Sequence, residues 1–169
     1  ENAMLATAAA LVHNIPPAVI ADALASFTGV ERRMEVFHYN GINVIDDTAL
    51  NPGSIDAVFQ TSRLLFYNRL IVINAIRGLR GPAINAANAA ALAQWAHKIP
   101  LFLIITDSNE CVGPMDTVTD AERQSFLSTL DSLGTKYTYK PTLSDALASA
   151  LNRIYPADLI LLLGAQGMD

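Results

Sequence analysis

Asp46, Asp47 and Asn51 stand close together in Asp46-Asp47-Thr48-Ala49-Leu50-Asn51-Pro52-Gly53-Ser54, directly after the β-branched run 42–45. Carboxylates at the exit of a strand can accept from a ribose hydroxyl or an amine. An Asp there is also a common turn former and helix cap, the more frequent role for Asp47. Asn51 is a good N-cap and Pro52 a good first helical residue, so the pattern predicts a helix start that aims free N–H groups at a polar ligand above the strand. Arg77 and Arg80 fall in a Gly-bracketed loop, 74–81, where two guanidinium groups can hold a carboxylate or phosphate bidentately. For either arginine alone, pairing with a surface carboxylate weighs about equally. Asp107 and Asn109, in the polar stretch 106–110, and the closing Gly164-Ala165-Gln166-Gly167-Met168-Asp169 complete the set.

Other chemistry finds little support. Ser54 has no G-x-S-x-G setting and reads as a helix-start residue. Cys111 is the only cysteine and has no base near it in sequence; His13, His38 and His97 are scattered without metal-ligand spacing. His38 reads as a strand-face residue and His97 as a helix-end residue. No G-x-x-x-x-G-K-[ST] loop and no G-x-G-x-x-G after a strand occurs, so a nucleotide must be held chiefly by something outside this chain.

The polar loops need elements to position them. Two Ala-rich helices open the chain, one through Leu5, Ala8, Ala9 and Val12, the other after Pro16-Pro17 through Val19, Ile20, Ala23 and Leu24. Strands at 34–38 and 42–45 are joined by an Asn40-Gly41 turn. Helical and strand patterns then alternate. A helix carries Ile55, Val58, Phe59, Ser62, Leu65 and Phe66, and a strand covers 70–73. The next helix carries Ile84, Ala87, Ala91, Leu92 and Trp95, and a strand covers 101–105. A helix with a Thr119/Glu122 capping box turns Phe126, Leu130 and Leu133 inward. A short strand at 136–139, a helix through Leu143, Ala146, Leu147, Ala150 and Leu151, and a strand at 158–163 close the cycle. Strands apolar on both faces imply an α/β fold: a Rossmann-like, mostly parallel sheet with helices on both sides, one antiparallel hairpin element and a preceding helical pair. In such a sheet ligands bind beyond the carboxyl ends of the strands, and the polar loops all leave from that edge.

The 169 residues suffice for one substantial domain plus a small attachment. A net charge of −5 without a basic face argues against nucleic-acid binding. The apolar runs fall short of the roughly 20 residues of a membrane span. With no signal-peptide pattern read at the start, the expectation is a cytoplasmic protein acting on small molecules.

Four ordered pieces carry a resemblance across essentially the whole chain: Glu1-Asn2-Ala3-Met4-Leu5-Ala6, Gly29-Val30-Glu31-Arg32-Arg33-Met34-Glu35, residues 46–54, and the closing residues 164–169. Together they resemble the carboxyl-terminal part of the Mur ligase family, whose relatives include folylpolyglutamate synthases and cyanophycin synthetase. The resemblance implies an ATP-dependent ligase in which a carboxylate is activated as an acyl phosphate and attacked by an amino-acid amine, with cell-wall precursor synthesis as one setting. It implies that residues 1–27 are the last helices of a central ATPase domain and 28–169 a Rossmann-like third domain that closes over the site. ATP and Mg2+ would be bound mainly by the missing central domain, the missing amino-terminal and central domains would be partners within the protein, and this fragment alone would be inactive.

By the same resemblance, Arg33 matches an arginine that approaches the nucleotide phosphates, which makes it the catalytic candidate. Asp46 matches an acidic residue near the ribose, and Asn51 sits at an Asn or Thr position of the same loop. Arg77, Arg80, Asp107 and Asn109 are the acceptor-binding candidates. Thr48 and Leu50 replace the Tyr and His of the common Asp-Tyr-Ala-His-x-Pro form, and residues 106–110 lack the Asn-Pro-Arg element that reads diaminopimelate. No particular muropeptide step is therefore assigned. The alternative is a non-catalytic ligand-binding or scaffolding module on the same fold.

Overall fold

The computed structural model describes residues 2–164 and Met168; the tail residues 165–167 and 169, and Glu1, lie outside the described residues. Two compact units result, Glu1–Val30 and Glu31–Asp169. The first contains α1 (Asn2–Val12) and α2 (Pro17–Ala25), the latter begun by Pro16-Pro17 as its sequence predicts.

The second unit is built on a six-stranded sheet of order β1-β2-β6-β3-β4-β5. Strands β1 (Glu35–Tyr39) and β2 (Ile42–Asp47) form the antiparallel hairpin, with Tyr39 opposite Ile42. The two-residue turn works because Asn40 (φ 49°) and Gly41 (φ 79°) both take positive φ, the I′ geometry that follows the strand twist. All other pairings are parallel: β2 with β6 (Leu159–Leu163), β6 with β3 (Leu70–Ala75), β3 with β4 (Leu101–Thr106), and β4 with β5 (Thr138–Lys140). The last short strand lies two residues later at its start than the pattern 136–139 predicts.

Alternation along the strands divides the core in two. Ile45, Leu70, Val72, Leu103, Ile105, Leu159 and Leu161 face helices α3 (Pro52–Ser62), α4 (Pro82–Lys98) and α5 (Asp120–Ser132). Ile42, Val44, Ile71, Ile73, Ile104 and Ile160 face α6 (Leu143–Leu151). Burial on both faces is why these strands read as unbroken apolar runs rather than as alternating ones.

Four helices differ in detail from their periodicity. Helix α3 buries Ile55, Val58, Phe59 and Ser62 and then stops. The amides of Leu64 and Leu65 bond back to Thr61 and Ser62, each at 3.0 Å, tightening the last turn. Leu65 and Phe66 therefore lie beyond the helix, and Phe66 is fully exposed. Helix α4 turns Asn85, Asn88, Ala89, Leu92, Ala93 and Trp95 inward, leaving Ile84 and Ala87 outside. The rotation lets Asn85 bond the loop before the helix and stacks Trp95 on Phe59, centroids 5.1 Å apart. Leu133 is the C-cap of α5 and Leu151 ends α6, and both stay half out in solvent.

Candidate functional site

Because β2, β6, β3, β4 and β5 run parallel, their carboxyl ends share one edge, which gathers Asp46, the 76–81 loop and Asp107. Asp46 is the penultimate residue of β2, in a largely buried position. Its Oδ2 accepts from Arg32 Nε at 3.3 Å, and its Oδ1 is buried with no hydrogen-bond partner among the described residues. Burial pushes the Asp46 carboxyl up, and the Arg32 charge only partly offsets this. Arg32, at φ 56°, also donates from Nη2 to the Gly164 carbonyl at 2.6 Å, tying the entry of β1 to the exit of β6. The resemblance points to Arg33, whereas it is Arg32 whose guanidinium turns inward, a choice set by the backbone at the strand entry. Arg33 itself is exposed, its Nη1 donating to Thr48 Oγ1 at 2.6 Å.

Asp47 is a turn former. Oδ1 accepts from the Ala49 amide and Oδ2 from the Met34 amide, both at 2.8 Å. Asn51 is the N-cap of α3, and its Oδ1 accepts from the Ser54 amide at 3.0 Å. These bonds hold the strand-to-helix loop in place.

The two arginines of the next loop have different surroundings. Arg80 is paired within the chain: Nη2 lies 2.8 Å from Asp116 Oδ1. Arg77 is half-buried, and among the described residues it has no carboxylate at ion-pair distance. Its Nη1 donates to the Leu50 carbonyl at 2.8 Å, while Nε is buried and without a partner. Burial and then the neighbouring Arg80 charge lower its pKa. A guanidinium partly taken from water without a counter-ion carries a desolvation cost that an anion would offset.

The loop's backbone donors are already engaged. The amides of Leu79 (3.1 Å), Arg80 (2.8 Å) and Gly81 (2.7 Å) converge on the Glu122 carboxylate, which also accepts from the Thr119 amide and hydroxyl. Burial alone would raise the Glu122 pKa, but the backbone bonds from Thr119 and Gly81 and the further bonds outweigh it, bringing the group to about 2. Asn85 holds the other side of the loop, accepting from the Arg77 amide at 3.2 Å and donating to the Arg77 carbonyl at 2.8 Å. The capping box signalled Glu122 in the sequence; its reach to the loop comes only from folding. Nothing in the helical pattern marked Asn85.

At the end of β4, Asp107 is buried, its Oδ2 accepting from Arg123 Nε at 2.5 Å and from Tyr139 Oη at 2.9 Å, while Oδ1 has no partner among the described residues. These bonds raise the Arg123 pKa against its burial, and burial together with Asp107 raises that of Tyr139. Asn109 is committed to Val118, accepting from its amide at 2.8 Å. The edge thus brings together Asp46, Asn51, Arg77, Arg80, Asp107 and Asn109, with Arg77 the one cation among them lacking an anionic partner. Among the described residues, no group of three or more His, Cys, Asp or Glu side chains is placed to hold a metal ion.

Comparison with known proteins gives this geometry a family. Residues 32–166 match the family described as Mur ligase, glutamate ligase domain. The UDP-N-acetylmuramate–L-alanine ligase of Crocosphaera subtropica is 29% identical over 172 residues, covering 100% of this chain and 32% of the relative. That of Lawsonia intracellularis is 41% identical over 73 residues, 43% of this chain and 16% of the relative. Among solved structures, MurF from Acinetobacter baumannii has a TM-score of 0.70 at 21% identity, covering 99% of this chain and 34% of its own. UDP-N-acetylmuramate-alanine ligase MurC from Thermotoga maritima has a TM-score of 0.66 at 24% identity, covering 97% and 33%. The chain spans about a third of the length of the curated relatives it matches. With the family matched over most of its length and the fold shared with the solved ligases, this chain belongs to the Mur ligase family and is its carboxyl-terminal domain.

Proposed function

We propose that this chain is the nucleotide-closing and acceptor-binding part of an ATP-dependent ligase that joins an activated carboxylate to an amino-acid amine. The observation that carries the reading is Arg77: a half-buried guanidinium with an unpartnered Nε at the ligand edge of the sheet. The carboxylate of an amino acid is an anion of the right charge and shape for it. Cell-wall precursor synthesis is the proposed setting, because curated relatives carry the name UDP-N-acetylmuramate–L-alanine ligase. Such a reaction belongs to the cytoplasm, where ATP is supplied.

In the proposed reaction ATP supplies a phosphoryl group to the donor carboxylate; the amine then attacks the acyl carbon, and phosphate leaves. Arg77 holds the acceptor's carboxylate and so orients its amine. The buried, unpartnered Asp46 Oδ1 is an acceptor that a ribose hydroxyl satisfies, so this chain's residues fit the sugar end of the nucleotide. Exposed Arg33 supplies positive charge toward the transferring phosphoryl group. Mg2+ and the phosphate-binding loop are assigned to a central domain preceding this chain. Residues 1–27 are read as its last helices, which is in keeping with α1, where Met4 is 75% and Val12 79% exposed. On this reading the isolated chain does not turn over.

The test is ATP-dependent phosphate release by the complete gene product, with amino-acid acceptors screened against muropeptide, folate and peptide carboxylate donors. Release that requires one donor and one acceptor establishes the ligase. A folded protein that releases none, beside active control ligases, points instead to a binding module.

A further inference from the structure

The residues from Asp116 to Arg123 touch both ligand loops at several points. Gly78 packs so closely on the backbone of Asp116 and Thr117 that a Cβ there would overlap them. Arg80 pairs with Asp116, Asn109 bonds Val118, and Arg123 bonds Asp107. At the centre is Glu122, 2% exposed, whose Oε1 accepts from the Arg80 and Gly81 amides and whose Oε2 accepts from the Leu79 amide and from Thr119. Leu79 (φ 51°) and Gly81 (φ 89°) both sit at positive φ, which turns three successive amides toward one point. Such a concavity of N–H groups binds anions, and here an internal carboxylate fills it. The β3 exit loop therefore has its three amide donors engaged by an internal carboxylate, and they are not free for a ligand anion.

From this geometry we infer that Glu122 is a positioning residue for the acceptor: by filling the amide concavity at residues 79–81 it fixes the backbone that presents Arg77, and with Arg123 on Asp107 it makes the β3 and β4 exit loops one rigid unit. The inference rests on the reading of Arg77 as the acceptor's carboxylate site. Glu122 touches no substrate in this scheme. It acts through the loop, so its loss changes how well the acceptor is held and leaves the nucleotide side alone.

Two functions of Glu122, capping α5 and holding the loop, can be separated. Glu122→Asp keeps a carboxylate in the first turn of α5, but it is one methylene too short to reach the three loop amides. Glu122→Gln keeps the length but turns an NH2 group toward backbone donors. Thr119→Ala removes the cap and leaves the loop contacts intact. In the complete gene product, Glu122→Asp is expected to raise the acceptor KM about tenfold or more, the size of a lost charge-assisted hydrogen bond or two, with the ATP KM unchanged. Thr119→Ala is expected to lower the thermal midpoint and leave the acceptor KM unchanged. If Glu122→Gln does not fold, Glu122→Asp carries the test. An unaltered acceptor KM in Glu122→Asp, or an equal rise in Thr119→Ala, overturns the inference while leaving the ligase reading in place. Absence of any acceptor-dependent release by the unsubstituted protein overturns both.

Discussion

Arg32 Nε lies 3.3 Å from Asp46 Oδ2, with both side chains largely buried, and the same guanidinium reaches from the entry of β1 to the last carbonyl of β6. The pair holds a carboxylate at the carboxyl edge of the sheet against its cost of burial, and leaves Oδ1 facing no partner among the described residues. Folding thus holds Asp46 with one buried carboxylate oxygen left unpaired among the described residues.

Replacing Arg32 with Met removes the cation and leaves the buried carboxylate, at an expected cost of about 1–3 kcal/mol. Burial already raises the Asp46 pKa, so its favourable contribution is full below 3.8, its ordinary value, and is lost as pH rises through the folded value. The destabilisation by Arg32→Met should accordingly be larger at pH 7 than at pH 4. Urea unfolding at the two pH values measures this; an equal loss at both would show that the Gly164 contact dominates.

Glu122 has the opposite sign. Its folded pKa of about 2 lies below the ordinary 4.5, so its stabilisation is present above 4.5 and disappears as pH falls through 2. Unfolding midpoints of the wild type and Glu122→Gln should differ most at pH 6 and converge as pH approaches 2. A constant difference would mean that side-chain shape, and not charge, makes the contribution.

The two loop arginines should separate functionally. Arg77→Gln is expected to raise the acceptor KM about tenfold to a hundredfold, since it removes a charge-assisted contact in a partly desolvated site. Arg80→Gln breaks the partly exposed pair with Asp116, worth about 1 kcal/mol or less, and a 3.3 Å bond to the Leu79 carbonyl, and should leave the acceptor KM unchanged. Steady-state kinetics of the complete gene product reads both, and reversed effects would move the carboxylate site to Arg80.

Gly78→Ala places a methyl group on the Asp116 carbonyl and Thr117 backbone, neither of which can yield without moving the loop. The expected cost is about 2 kcal/mol or more. Hydrogen exchange should show faster amides at residues 79–81, whose bonds to Glu122 are strained by the same displacement. Exchange unchanged from wild type would place the strain elsewhere.

The order of elements, the I′ hairpin at Asn40-Gly41, the Asn51 N-cap and the Thr119/Glu122 capping box were all legible in the sequence, because each rests on interactions between residues close along the chain. The gathering of Asp46, Arg77 and Asp107 on one edge was also readable, since parallel strands must expose their carboxyl ends together. What the sequence left open was the partner of each charged group. Arg77 and Arg80 are the same residue type three positions apart in one loop, and only the arrival of Asp116 from 36 residues further on gave Arg80 a carboxylate partner and left Arg77 without one among the described residues. The choice of Arg32 over Arg33 for Asp46, and the reach of Glu122 to three amides more than 40 positions away, were decided in the same way. Periodicity and propensity record which surfaces are buried, whereas ion pairs and orphaned polar atoms depend on distances between segments that only tertiary packing sets.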